Sequence, residues 1–184
     1  MLARNKHRIY LAFYIRHTSE ANPDPFHDGI IITPKGDSKF KDTMRFHATN
    51  HKTVMVGGVA AIPWQFEAIT IEKRTFKLKA LLLLGKLSPQ VPVSRIEEIL
   101  SEVPIVQGDP GWKCHAWTIQ AIDKLVEYKI IPGLPISAST IVQNGTAFAS
   151  SVDLLYEEAV PTCNFYGQAI ESEVTEPPKG YVGS

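Results

Sequence analysis

Cysteine is scarce in this chain, net charge is absent, and no apolar segment is long. The 184 residues contain two cysteines, Cys114 and Cys163, which excludes a disulfide-rich framework and favours a reducing compartment. The 19 Lys and Arg residues equal the 19 Asp and Glu residues, so no net field attracts nucleic acid or an anionic membrane. The most apolar run, residues 80–84, is far shorter than the ~20 residues that span a bilayer. We therefore expect a cytoplasmic protein with no membrane anchor and no nucleic-acid partner.

The order of the predicted elements indicates an α+β fold. Alternating apolar residues and β-branched content predict strands over residues 8–16, 27–33, 44–49, 64–72 and 76–84. Capping signals and helical periodicity predict helices over residues 94–101, 112–128 and the second half of 137–159. Because the strands come first and the helices after, we expect a mostly antiparallel sheet packed against helices. Residues 1–170 are expected to form a single domain and residues 171–184 a flexible C-terminal tail.

Cys114, His27 and His47 together supply the parts of a cysteine nucleophile site. A thiol needs a base, and the ring of that base needs a polar group that holds it. Cys114 lies in the first turns of its predicted helix, where backbone N–H groups favour a thiolate and can bind an oxyanion. His27 begins one strand, and His47 lies on the polar face of the next. Each residue also has a simpler explanation, which is a buried free cysteine and two histidines that face solvent.

The other histidines do not extend this pattern. His115 directly follows Cys114, so on a helix it points about 100° away and is a poor base. The histidines are scattered and only one cysteine is near them, so we expect no metal site. The sequence also contains no phosphate loop and no dinucleotide fingerprint, which predicts an absence of cofactors.

Aromatic and charged residues near these positions are candidates for a pocket. Tryptophan is more often a core residue than a pocket wall, and this alternative stays open. The candidates are Trp64, Glu67, Trp112, Lys113 and Trp117.

The order and local context of the three site residues resemble a known superfamily. His27 opens an apolar strand, His47 lies between two apolar residues, and Cys114 precedes an aromatic residue, Trp117, by three positions. This arrangement resembles the circularly permuted papain-like proteins of the NlpC and lecithin–retinol acyltransferase kind, over about residues 26–126. The Trp-x-Cys-x-x-Trp pattern of residues 112–117 also resembles a group of uncharacterised small fungal proteins.

Two departures from the superfamily pattern qualify what the resemblance implies. Lys113 replaces the polar Asn that often precedes the cysteine, which affects the expected oxyanion environment. The membrane-anchoring helix of the acyltransferases has no counterpart in the sequence, which argues against a membrane-bound lipid acyltransferase.

The resemblance implies a permuted papain-like fold and a cysteine-dependent hydrolase or acyltransferase. Cys114 would attack an amide, ester or thioester carbonyl of a small-molecule or peptide substrate and form an acyl-enzyme. His27 would carry the proton and His47 would orient its ring. Two alternatives stay open, namely a non-catalytic papain-like binding protein and a thiol- and histidine-dependent isomerase or cyclase of a small-molecule pathway. The sequence does not indicate the oligomeric state.

Overall fold

The computed structural model describes residues 7–18, 23–35, 42–153 and 159–175. The strands in these ranges are β1 (Arg8–Ile15), β2 (Phe26–Thr33), β3 (Thr43–Thr49), β4 (Val54–Val56), β5 (Val59–Ala61), β6 (Gln65–Ile71), β7 (Leu78–Lys86), β8 (Thr162–Cys163) and β9 (Ala169–Ile170). The helices in these ranges are α1 (Val93–Ser101), α2 (Cys114–Glu127) and α3 (Ala138–Ser151).

A seven-stranded sheet forms the centre of the molecule. The strands lie in the order β6-β3-β2-β1-β7-β8-β9, and every neighbouring pair is antiparallel except β7 and β8. Strands β4 and β5 form a separate hairpin, whose turn residues Gly57 and Gly58 have φ angles of 57° and 81°. Glycine adopts these positive φ angles without steric cost, as a two-residue hairpin turn requires. The fold is therefore α+β with a mostly antiparallel sheet, as the sequence predicted.

The two faces of the sheet carry different layers, because successive side chains of a strand point to opposite sides. On the helix face, Phe13 and Phe46 join one buried cluster with the α2 residue Trp117. On the outer face, Tyr14 joins a second buried cluster with Val174. These two names, helix face and outer face, are used below for the two sides of the sheet.

The helices match the predictions at some ends and differ at others. α2 begins at Cys114, two residues later than predicted, since the carboxylate of Asp109 accepts a hydrogen bond from the backbone N–H of Gly111 and forms a turn instead of a cap. α3 spans Ala138–Ser151, so it begins about ten residues before the second half of residues 137–159, where the helix was predicted, and overlaps that half only at residues 148–151. The Ser137 side chain accepts a hydrogen bond from the backbone N–H of Thr140 and caps this earlier start, and Gly145 lets the Phe13 ring of β1 pack against the α3 backbone. Residues 154–158 of that prediction lie outside the described residues.

Residues 171–175 are part of the folded domain, which corrects the predicted tail. Val174 is fully buried, and the carboxylate of Glu173 pairs with the Arg8 guanidinium on β1. An isolated bridge also joins Ala159 to Thr175. These contacts fix the segment because burial and ion pairing offset the entropy that a loose tail would keep. The rest of the predicted tail, residues 176–184, lies outside the described residues.

None of the helices in the described ranges is long and apolar enough to cross a membrane.

Candidate functional site

His27 and His47 meet on the outer face of the sheet. A Cβ atom added to Gly29 would lie 2.9 Å from the Cβ atom of His47, so only glycine fits opposite this histidine. The space above Gly29 lets the two imidazole rings approach each other edge to face, with centroids 4.9 Å apart. The Nε2 atom of His27 is 2.6 Å from the Nδ1 atom of His47, within hydrogen-bond distance.

Glu67 continues this chain from the neighbouring strand. It lies directly opposite His47 in the pairing of β3 with β6, and its Oε2 atom is 3.0 Å from His47 Nε2. The Lys52 ammonium donates a hydrogen bond to the other carboxylate oxygen of Glu67. We call the hydrogen-bonded chain of His27, His47 and Glu67 the relay.

The electrostatic environment keeps the relay imidazoles uncharged and the carboxylate ionised. Burial lowers the pKa of His27 to about 4 and that of His47 to about 3, and the positive charge of Arg45 contributes to both shifts. Burial alone would raise the pKa of Glu67, but hydrogen bonds from Lys52 and His47 outweigh it and lower the pKa to about 2. At neutral pH the relay therefore consists of two neutral rings and one carboxylate.

Arg45 and Tyr14 lie beside the relay on the same face. Tyr14 is the cross-strand partner of His27 in the pairing of β1 with β2, and the Arg45 guanidinium lies 5.2 Å from the centroid of the Tyr14 ring. Arg45 is half-buried, and none of the ion pairs in the described ranges gives it a carboxylate partner. A cation in this position is suited to stabilising negative charge that develops near His27.

A second group of polar side chains lies on the helix face, where β2 and α2 meet. The Nδ1 atom of His115 is 2.6 Å from the Oδ2 atom of Asp28, and its Nε2 atom is hydrogen-bonded to the Asp24 carboxylate. The sulfur of Cys114, a nitrogen of His115 and an oxygen of Asp28 lie within 4.8 Å of one another. We call Asp24, Asp28, Cys114 and His115 the helix-face cluster.

Burial and the two carboxylates set the protonation of this cluster. Burial alone would lower the pKa of His115, but hydrogen bonds to Asp24 and Asp28 outweigh it and raise the pKa to about 10. Burial raises the pKa of the Cys114 thiol well above its usual value, and the negative charge of Asp28 raises it further. The side chain of Cys114 is fully buried. Without a bound cation, the cluster therefore holds an imidazolium and a neutral thiol.

Comparison with protein families places both groups within the segment that one family model matches. The sequence profile of DUF6914, a family of unknown function, matches residues 6–151. The chain belongs to this family. The matched segment includes the relay, Arg45 and the helix-face cluster. No curated protein and no solved structure matches the chain.

The structure of this DUF6914 protein brings two of the three predicted catalytic residues together. His47 is in hydrogen-bond contact with His27, as an orienting role requires. Cys114 does not join them, since no hydrogen bond links its sulfur to His27 among the described residues. The reason is strand alternation: Asp28 faces α2 and the Cys114 thiol, whereas its neighbour His27 points to the outer face. The predicted pairing of Cys114 with His27 thus has no contact that supports it.

The predicted pocket residues have different positions. Trp117 is fully buried and Trp112 nearly so, which makes both core residues and corrects their assignment to a pocket. Trp64 is partly buried and packs edge to face on Trp112, with ring centroids 5.2 Å apart. Glu67 belongs to the relay. Lys113 precedes α2 at the N-cap position and makes no side-chain capping hydrogen bond.

Sequence reasoning did not identify four residues at these sites. His115 lies 87 positions from Asp28 and 91 positions from Asp24 along the chain, so no local pattern links it to either carboxylate. Arg45 is two residues before His47 on the same strand face, and this spacing is the one signal that was available.

Proposed function

We propose that this protein is an enzyme that uses His27 as a general base in hydrolysis or transfer at a carbonyl group. The observation that carries the proposal is the relay, which determines where the protons lie. The Glu67 carboxylate only accepts, so His47 donates its Nε2–H and keeps a lone pair on Nδ1. His27 then donates its Nε2–H to that lone pair, which leaves Nδ1 of His27 unprotonated.

The Nδ1 atom of His27 is available for chemistry. It makes no hydrogen bond among the described residues, and His27 is half-buried, not enclosed. An oriented imidazole with a free lone pair is the usual form of a general base. Burial lowers the pKa of His27 to about 4, so its imidazolium is unfavourable, and the carboxylate at the far end of the relay partly offsets this cost when His27 takes a proton.

The proposed reaction is a direct attack of an oxygen nucleophile on the carbonyl carbon. His27 removes a proton from water or a substrate hydroxyl while that oxygen attacks the carbonyl carbon, and the carbonyl electrons move to oxygen. Arg45, the nearby cation, stabilises the resulting oxyanion. When the oxyanion collapses, the leaving group departs and takes the proton from His27, which restores the base.

This proposal changes the nucleophile that the sequence predicted. A cysteine-dependent route needs the thiol to reach its base, and the Cys114 thiol lies on the helix face beside Asp28. Burial also raises the pKa of Cys114, which reduces the fraction of reactive thiolate. Water or a substrate hydroxyl needs neither access to the Cys114 thiol nor a low thiol pKa. We therefore retain chemistry at a carbonyl group and assign no acyl-enzyme to Cys114.

The test is a panel of ester, thioester and amide substrates assayed with the wild type and with His27→Gln. We expect turnover above the uncatalysed rate for one class, and a loss of roughly 10²–10⁴-fold in His27→Gln, the usual contribution of a general base. His51→Gln is the matched control, because His51 is an exposed histidine that bonds to Thr49 and lies outside the relay. It should retain wild-type activity.

Three outcomes would contradict the proposal. Wild-type protein that is inactive on every class would favour a non-catalytic binding protein. Full activity of His27→Gln, with thermal melts showing that it folds, would remove His27 from the mechanism. An acyl adduct on Cys114, detected by mass spectrometry during turnover, would restore the cysteine-dependent route.

A further inference from the structure

Three different metal-binding groups converge in the helix-face cluster. A carboxylate oxygen of Asp28, the sulfur of Cys114 and a ring nitrogen of His115 lie within 4.8 Å of one another. Thiolate and imidazole ligands favour Zn²⁺ over Mg²⁺ or Ca²⁺, which prefer oxygen ligands alone. We propose that Asp28, Cys114 and His115 bind a Zn²⁺ ion. The site lies on the opposite side of the sheet from the relay and does not depend on the proposed function.

Asp24 supplies the outer contact that a metal-binding histidine usually makes. Its carboxylate is hydrogen-bonded to Nε2 of His115, while Nδ1 of the same ring is the nitrogen next to Asp28. Metal-bound histidines almost always donate their second ring N–H to a carboxylate or carbonyl, which fixes the tautomer. Asp24 thereby directs the lone pair of Nδ1 toward Asp28 and Cys114.

An independent observation concerns the second oxygen of Asp28. The Asp28 side chain is fully buried, and its Oδ1 atom has no hydrogen-bond partner among the described residues. A buried carboxylate oxygen without a partner is costly, and in native proteins such an atom commonly marks an ion or water site. A cation bound to the Asp28 carboxylate would supply a partner for this oxygen.

Binding of Zn²⁺ needs a thiolate sulfur on Cys114 and an unprotonated Nδ1 on His115, so the ion enters as these two protons leave.

The geometry leaves room for a fourth ligand. With metal–ligand bonds of about 2.0–2.3 Å, two ligands of a tetrahedral Zn²⁺ lie roughly 3–4 Å apart, so small side-chain rotations suffice. Three protein ligands are the number found where a water molecule completes the shell. The His115 side chain is 28% exposed, so the site opens to solvent on its side.

The test is Co²⁺ titration of the full-length protein after treatment with a chelator, followed by absorption spectroscopy, together with the Zn²⁺ content of the untreated protein. We expect one metal ion per chain and a thiolate-to-cobalt charge-transfer band. Cys114→Ala should abolish the band. Cys163→Ala is the matched control, since Cys163 is the second buried free cysteine and lies on β8; this variant should keep the band.

Two further variants test Zn²⁺ binding at this site if Cys114→Ala fails to fold. His115→Gln removes a partly exposed ligand, and Asp24→Asn changes only the outer contact. Each should weaken Zn²⁺ binding by at least about 10-fold, the lower end of the 10–100-fold range known for outer contacts. Substoichiometric binding by the wild type, or unchanged Zn²⁺ affinity in His115→Gln, would overturn the proposal. So would a charge-transfer band that persists in Cys114→Ala. None of these results bears on His27.

Discussion

Replacing Gly29 with alanine should destabilise the protein, because the new methyl group has no space between β2 and β3. The added Cβ atom would lie 2.9 Å from the Cβ atom of His47 and 2.9 Å from the carbonyl oxygen of Phe46. Carbon atoms in good contact are about 3.5–4.0 Å apart, so the strands would have to separate by roughly 0.6–1 Å. Neither neighbour can rotate away, since one is main chain and the other is the first atom of its side chain.

The expected magnitude follows from two opposing effects. Overpacking a tight site costs about 1–3 kcal/mol, while the lower chain entropy of alanine in the unfolded state returns roughly 0.5–1 kcal/mol. From the middle of both ranges, the net loss in the free energy of unfolding should be about 1.2 kcal/mol. For a chain of this size, each kcal/mol lowers Tm by about 2–4 °C, so Tm should fall by roughly 2–5 °C.

The assay is urea unfolding and thermal melting of Gly29→Ala beside Gly133→Ala. Gly133 is the matched control, because a Cβ atom there meets no heavy atom within 4 Å and no positive φ opposes it. We expect Gly133→Ala to be as stable as the wild type or more stable by up to about 1 kcal/mol, because it gains the same entropy effect without a clash. A Gly29→Ala variant as stable as Gly133→Ala would refute the close approach of β2 and β3 on which the relay depends.

Two other predictions concern the relay and the buried thiol. Glu67 has a lowered pKa of about 2 against an ordinary value of 4.5, so it stabilises the folded state above pH 4.5 and loses this effect as pH falls through about 2. The free energy by which the wild type exceeds Glu67→Gln, measured by urea unfolding, should therefore decrease as the pH falls from 4.5 to about 2. A difference that does not change with pH would contradict the pairing of Glu67 with His47 and Lys52. Cys114 is fully buried, so in chelator-treated native protein iodoacetamide should label it no faster than Cys163 by peptide mass spectrometry. Rapid labelling of Cys114 that stops in His27→Gln would show that the thiol reaches His27 after all.

Much of the fold could be predicted because it depends on local patterns. The alternation of Met44, Phe46 and Ala48 with polar residues identified β3, and apolar spacing identified α2 with Trp117 on its buried side. The errors occurred where distant contacts decide the outcome. α3 begins at Ala138 behind the Ser137 cap, and it packs closely on β1 because Gly145 admits the Phe13 ring; no local signal reports this second contact.

The segment at residues 171–175 shows the same limit. Its charged, Pro- and Gly-containing context is typical of a loose tail, and only the partner residues on the sheet change this. Glu173 pairs with Arg8, which lies 165 positions earlier in the chain, and Val174 enters the outer-face cluster. Composition alone cannot reveal a partner at that separation.

The sequence by itself determined the long strands of the sheet, the helices α1 and α2 and, through strand alternation, that His27 and Asp28 point to opposite faces of β2. Only the tertiary structure decided which of these two faces receives α2. Packing of the Trp117 side of α2 against Phe46 and Phe66 places the thiol of Cys114 beside Asp28, because these large apolar side chains must be buried together. Because α2 packs on the helix face, His27 on the outer face contacts His47, and His47 contacts Glu67. The residue types thus determine what chemistry the two candidate sites can carry out, whereas burial of the core determines which of these side chains come into contact.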